Sequence, residues 1–225
     1  MSNNNSDYNN KMDKLAGHIT NIVLLGFLTT LFCLPIVTAG AAFTALNIST
    51  KSYIYDYNDK PLKLYFESFK KYFGTSTKIW LIHLLAIAIL VWDFVYYRTS
   101  DTTIDILASA GIFVVMCFVA FELTMVFVTI GEYNKTNIFE IMKTALDISM
   151  TSFFRSLMIL FFEATIIVVS LFLLRGLLLV IPGIIAFVSW QIIPDMLKNY
   201  KHKNVVKWFN KYLKLIYYFK KIMIY

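Results

Sequence analysis

Long uncharged apolar runs, punctuated by short polar breaks, set the pattern of this chain. The first extends over Ile19–Thr50, with no Asp, Glu, Lys or Arg between Lys14 and Lys51. About twenty apolar residues cross a ~30 Å hydrocarbon core as a helix, so a first span is predicted over about Gly17–Pro35. Pro35 ends or kinks it, because proline lacks an N–H and collides with the preceding turn. The run then continues through small residues: Thr38, Ala39, Gly40, Ala41, Ala42, Thr44 and Ala45. Small side chains let helices approach closely in lipid, so Pro35, Thr38, Gly40 and Thr44 read as a break followed by a helix-packing surface.

Residues 51–78 carry charge again. Leu62, Leu64–Phe66, Phe69 and Phe73 recur at helical spacing with Lys63, Glu67, Lys70 and Lys71 between them, the pattern of an amphipathic helix lying at a membrane interface. A second span is predicted over Ile79–Tyr97 and a third over Ile104–Ile130. Asn137 with Glu140 three residues later resembles a capping box opening a second amphipathic helix, whose apolar face is Ile138, Ile141, Met142, Ala145 and Leu146. Phe66-Glu67-x-x-Lys70 and Phe139-Glu140-x-x-Lys143 each precede a span, a shared way of entering the bilayer.

From Ser156 to Ile193 the chain is almost wholly apolar, too long for one span. A turn is expected at Arg175-Gly176 or at Pro182-Gly183. The second is chosen because it sets Pro182 at a first helical position, where proline costs little. This gives a fourth span over Phe154–Leu179 and a fifth over Pro182–Tyr200, bent at Pro194. The expected fold is all-α: a polytopic transmembrane bundle of five spans with interfacial amphipathic helices. Its parts are a disordered Asn-rich segment 1–16, a transmembrane domain 17–200 and a basic tail 201–225.

Composition agrees. Of 225 residues, 58% are hydrophobic, above the ~45–50% of soluble domains. The formal charge of +7 does not imply nucleic acid, since Lys and Arg gather on the cytoplasmic side of membrane proteins and near anionic headgroups. With five spans, all of the 21 Lys and Arg except Lys11, Lys14, Arg98 and Arg175 fall on one side. That side is expected to be the cytoplasm, with the N-terminus outside. A cleaved secretory signal is not expected: the first apolar run exceeds the 7–15 residues of a signal core, and cleavage would leave the lysine-rich segment 51–78 outside. In the tail, Lys207, Lys211 and Lys214 share one helical face opposite Val205, Phe209 and Tyr212, which fits binding to an anionic leaflet.

Chemistry-bearing residues are few. Cys33 and Cys117 lie in apolar runs, where single cysteines pack as small hydrophobes. His18, His83 and His202 have no metal-ligand spacing, and no cofactor, nucleotide or hydrolase motif is visible, so neither an enzyme nor a cofactor is expected. At ~1.5 Å per residue, Glu122 and Glu163 lie about 12 Å inside the bilayer and His83 about 7.5 Å. Intramembrane ionisable groups are costly and face the protein interior. Two readings follow. The simpler is a protonated carboxyl bonded to a Thr or Ser of a neighbouring helix. The sharper is one polar cluster of His83, Glu122 and Glu163 that binds a ligand or proton.

Three stretches carry a family resemblance: Leu34-Pro35-Ile36-Val37-Thr38-Ala39-Gly40 with Thr44-Ala45-Leu46, Tyr65-Phe66-x-Ser68-Phe69-Lys70-Lys71-Tyr72-Phe73, and Pro182-Gly183-Ile184. In these the chain resembles the YesL-like family of bacterial integral membrane proteins, a domain family of unknown function. The resemblance implies a multi-pass protein of the cytoplasmic membrane. It also implies an accessory or regulatory partner of a carbohydrate uptake system of the ATP-binding-cassette type, acting through a transporter or sensor. The alternative reading is a transporter or channel in its own right, using the intramembrane carboxylates.

Overall fold

The computed structural model describes residues 2–56, 58, 60–99, 102–133, 137–173 and 179–203. Among them there is helix and no strand. The helices are α1 (Ser2–Cys33), α2 (Ala39–Tyr55, after a single 3-10 turn Ile36–Thr38), α3 (Pro61–Arg98), α4 (Thr103–Tyr133), α5 (Ile138–Thr151), α6 (Phe153–Leu173), α7 (Ile181–Ser189) and α8 (193–203). Residues 2–16, assigned by composition to a disordered segment, continue α1 N-terminally. The basic face Lys207, Lys211 and Lys214 lies outside the described residues, as does the Arg175-Gly176 turn candidate.

The break between α1 and α2 falls at Leu34-Pro35. Proline disfavours helical geometry in the residue before it, and Pro35 itself is extended, at φ −77° and ψ 110°. The helix restarts at Ala39 as α2, which lies at the centre of the molecule. Ala39–Ala42 and Thr44–Leu46 are buried except for the half-buried Phe43, and α2 packs against α1, α3, α4 and α7.

Helix α3 unites two elements expected to be separate. The amphipathic segment runs without interruption into the second span, giving 38 residues, or about 57 Å against a ~30 Å hydrocarbon core. Between Phe73 and Ile79 the only weak helix former of consequence is Gly74, which costs ~1 kcal/mol relative to Ala and does not break a helix held by packing. The first half of α3 therefore continues the span as one helix and packs against α2 through Tyr65, Leu62 and Phe69. Helix α5 keeps its expected start: the Asn137 side chain accepts from the Phe139 N–H at 3.1 Å.

Among the described residues three helices are long and apolar enough to cross a membrane: α3, α4, and Phe153–Leu171 within α6. Helix α1 adds a shorter apolar stretch, Ile19–Cys33. The predicted fifth span is broken. Helix α7 has nine residues, about 13 Å, and a turn at 190–192 separates it from α8. The break precedes Pro194, which sits in the first turn of α8, where its missing N–H has no partner to lose. Pro182 likewise occupies the first turn of α7.

Two apolar clusters join the helices. Ile79, Val126, Ile130, Ile141, Ile148 and Ile193 tie α3, α4, α5 and α8 together. Leu25, Leu46, Tyr65 and Ala186 tie α1, α2, α3 and α7. Outside them, Leu85, Trp92, Ile104, Val114, Phe154 and Phe161 are more than 60% exposed. Apolar surface on that scale is a membrane contact rather than a water-facing one. The chain is an all-α helical membrane protein.

Candidate functional site

The small-residue surface of α2 is occupied from within. At Gly40 a Cβ would come within 2.6 Å of Ser76 O and of Trp80 Cβ, so only glycine permits this approach of α2 to α3. One turn on, Thr44 Oγ1 donates to Gly40 O at 2.9 Å and lies 2.8 Å from Ser76 Oγ. A hydroxyl has one proton to give, so Ser76 is the donor to Thr44. Thr38 Oγ1 donates to Pro35 O at 2.8 Å and also lies against Phe32 O, covering carbonyls left open where α1 ends. The Trp80 indole, unmarked by any pattern in the sequence, donates to Ile36 O at 2.7 Å. Pro35, Thr38, Gly40 and Thr44 thus fix how α1, α2 and α3 meet.

The three intramembrane ionisable residues separate into two places. His83 and Glu122 are buried, 2% and 7% exposed, and His83 Nε2 lies 3.4 Å from Glu122 Oε2. His83 Nδ1 is 2.9 Å from Ile79 O. A carbonyl only accepts, so Nδ1 carries a hydrogen. Nε2 then either accepts from a protonated Glu122 or, protonated itself, donates to the carboxylate. In both cases one proton lies between the two side chains. The other Glu122 oxygen, Oε1, has no partner among the described residues.

Glu163 belongs elsewhere. It accepts from Thr124 Oγ1 at 3.3 Å, and Ser189 of α7 shares its cavity lining. Thr124 and Glu122 are two residues apart on α4, about 200° around a helix of 3.6 residues per turn, so they face opposite sides. The three-residue cluster is therefore not formed: His83 and Glu122 meet between α3 and α4, while Glu163 faces α4 and α7. The Glu163–Thr124 contact joins a carboxyl to a hydroxyl of a neighbouring helix, with Thr124 as the donor.

Glu163 lines a cavity of about 330 Å³ bounded by α2, α3, α4, α6 and α7. Its wall is aromatic. Trp80 and Phe127 have ring centroids 6.4 Å apart, and Phe43 stacks on Phe127 at 5.9 Å. Among the described residues its polar groups are Glu163, Thr124, Ser189 and Asn47, and no Lys, Arg or His lines it. Asn47 is already engaged, donating to Phe43 O at 2.9 Å and accepting from Trp190 Nε1 at 3.2 Å. Single-sequence reasoning could flag Glu163 by its depth, but the cavity needs five helices in register.

A second polar site lies where α2 and α4 end. Lys51 pairs with Glu132, and Lys201 lies 3.7 Å from the other Glu132 oxygen. The Glu132 side chain is 14% exposed. Beside them Tyr55 Oη donates to Trp190 O at 2.6 Å. The sequence places these residues at helix ends but gives no signal that they converge.

Residues 19–94 match the family model described as "Protein of unknown function, DUF624". The matched span contains the first two stretches of the resemblance, around Leu34–Leu46 and Tyr65–Phe73, and stops before Pro182-Gly183-Ile184. No curated protein and no solved structure matches the chain.

Proposed function

We propose that this protein is a YesL-like, non-enzymatic component of the bacterial cytoplasmic membrane, acting as an accessory or regulatory partner of a carbohydrate uptake system of the ATP-binding-cassette type. The observation that carries a partner role is the state of the two Phe-Glu-x-x-Lys segments. Phe66, in the first half of α3, is 42% exposed, and Phe139, in the first turn of α5, is 74% exposed. Phe66 meets Phe32 of α1 edge-on at 6.0 Å and keeps an open outer face, while Phe139 stands open at the start of α5; exposed aromatics of this kind serve as anchors for a protein surface. The small-residue face of α2 cannot serve this purpose, because α3 covers it.

In this reading the lysine-rich ends face the cytoplasm by the positive-inside rule. The tail carrying Lys207, Lys211 and Lys214 then meets anionic headgroups on the same side. The alternative, a transporter or channel using the intramembrane carboxylates, has to work with Glu122 and Glu163 on different partners, His83 and Thr124.

The test is a photo-crosslinking amino acid at position 66 or 139, followed by mild-detergent purification from the native host. A covalent adduct with a permease or sensor subunit at both positions is expected. Repeated recovery of the chain alone would sink the proposal.

A further inference from the structure

We infer that the cavity at Glu163 is a binding site for a lipophilic organic ammonium, a cationic amine on an apolar body that enters from the bilayer. This site is separate from the partner-docking surfaces and does not depend on them.

Charge is the first reason. Glu163 presents a carboxyl group to a cavity whose lining, among the described residues, holds no Lys, Arg or His. Its partner Thr124 and the neighbouring lining residue Ser189 are neutral hydroxyls. A carboxylate offers about four acceptor positions, so these hydroxyls leave room for an N–H donor. An anionic ligand would face Glu163 with no compensating cation among the described residues, which disfavours carboxylates and phosphates. A sugar is also a poor fit. Its hydroxyls need many polar partners, and Asn47 is already used by Phe43 and Trp190.

The aromatic wall is the second reason. Trp80, Phe127 and Phe43 form a continuous run of ring contacts on the lining of the same cavity. Aromatic faces are electron-rich and attract ammonium groups, most strongly when both are shielded from water. A carboxylate together with aromatic rings recognises an organic cation. Either feature alone would accept a neutral apolar guest or a hydrated ion.

Access and size are the third. Helices α3 and α6 flank the cavity with at most a glancing contact between them, and Ile167 on the α6 rim is 42% exposed. The cavity is thus open at the side toward the lipid-facing surfaces. Its ~330 Å³ falls within the ~300–1,000 Å³ of small-molecule sites. That size suits a short alkyl or aryl amine rather than a whole lipid.

The experiment uses the full chain in zwitterionic lipid nanodiscs, with octylamine as the probe and octanol and octanoate as its neutral and anionic matches. Binding is read by titration calorimetry against empty nanodiscs. Saturable binding of one octylamine per chain is expected, at least tenfold tighter than octanol or octanoate. Glu163→Gln, which keeps size and hydrogen bonding, should weaken octylamine at least tenfold, and Glu122→Gln should leave it unchanged. Ala120→Phe, which fills the cavity from α4 and leaves Glu163 in place, should abolish saturable binding. Equal affinity for octylamine and octanol, or no saturable binding to the wild-type chain, would overturn the proposal. So would full binding by a monodisperse Glu163→Gln protein. Should that variant fail to fold, the amine-to-alcohol ratio of the wild type decides alone.

Discussion

Gly26 of α1 and Gly183 of α7 meet backbone to backbone. A Cβ on Gly183 would lie 2.3 Å from Ile22 O and 2.9 Å from Gly26 N, and one on Gly26 would lie 2.6 Å from Val180 O. None of these atoms can swing aside as a side-chain end could. Gly183→Ala therefore has to push α7 off α1, at a cost of about 1–3 kcal/mol, the usual range for overpacking. Gly74, inside α3 with nothing within 4 Å of its added Cβ, supplies the contrast. There Ala should stabilise the helix by about 0.5–1 kcal/mol through its better propensity. Thermal unfolding of both variants in one detergent should move in opposite directions. A neutral Gly183→Ala would mean that α1 and α7 are not in contact.

The single proton between His83 and Glu122 leads to an ordered series of stabilities. Glu122→Gln keeps a donor facing His83 Nε2, so it should cost under about 1 kcal/mol. Glu122→Leu leaves Nε2 buried and unpaired, at about 1–3 kcal/mol, the penalty for an unsatisfied buried polar group. His83→Leu should cost more than either, because it strands a carboxyl whose second oxygen is already unpartnered. The double variant His83→Leu, Glu122→Leu should recover much of that loss, since removing both partners is cheaper than removing one. Denaturation midpoints for the four proteins test the order, and purely additive costs would show that the two residues do not interact.

Much of the fold was legible because hydrophobic length and period are local properties. The apolar runs located α3, α4 and α6, Pro35 marked the end of α1, and Asn137 marked the start of α5. What escaped depended on neighbours. Nothing between Phe73 and Ile79 announces that the amphipathic segment and the span are one helix, because Gly74 and Lys78 are compatible with either course. The bend expected at Pro194 is a full break at 190–192, just ahead of the proline. It comes where Trp190 is fixed by Asn47 and Tyr55 of α2. The depths of Glu122 and Glu163 could be counted along each helix. The rotation that turns Glu122 and Thr124 to opposite sides of α4 could not, and it decides that Glu122 and Glu163 lie apart.

The orientation rests on charge distribution and can be tested without reference to a partner. On a chain freed of Cys33 and Cys117, single cysteines at Thr102 and at Asn137 lie at opposite ends of α4. The positive-inside rule places Thr102 outside and Asn137 in the cytoplasm. A membrane-impermeant maleimide applied to intact cells should label the first position and reach the second only after lysis. The reverse pattern would invert the topology, and with it the side on which α5 and the first half of α3 are presented.

Lys51 and Glu132 join α2 to α4 where the two helices end, and their burial is unequal. The Lys51 side chain is 35% exposed and that of Glu132 is 14% exposed. Losing Glu132 leaves Lys51 able to reach water, while losing Lys51 leaves a largely covered carboxylate whose remaining cation among the described residues is Lys201, 3.7 Å away and itself well exposed. Glu132→Gln should therefore cost under about 1 kcal/mol, near the value of an exposed pair. Lys51→Met should cost about 1–3 kcal/mol, the penalty for an underpaired buried group. Adding Glu132→Gln to Lys51→Met should relieve most of the loss. Salt sharpens the comparison, because the partly buried Lys51–Glu132 contact is screened less than the exposed Lys201 contact. Raising ionic strength from 0.05 to about 0.5 M should thus destabilise Lys51→Met more than the wild type, as the remaining partner of Glu132 is screened away. Equal salt dependence in the two proteins would show that Lys201 does not support Glu132 when Lys51 is absent.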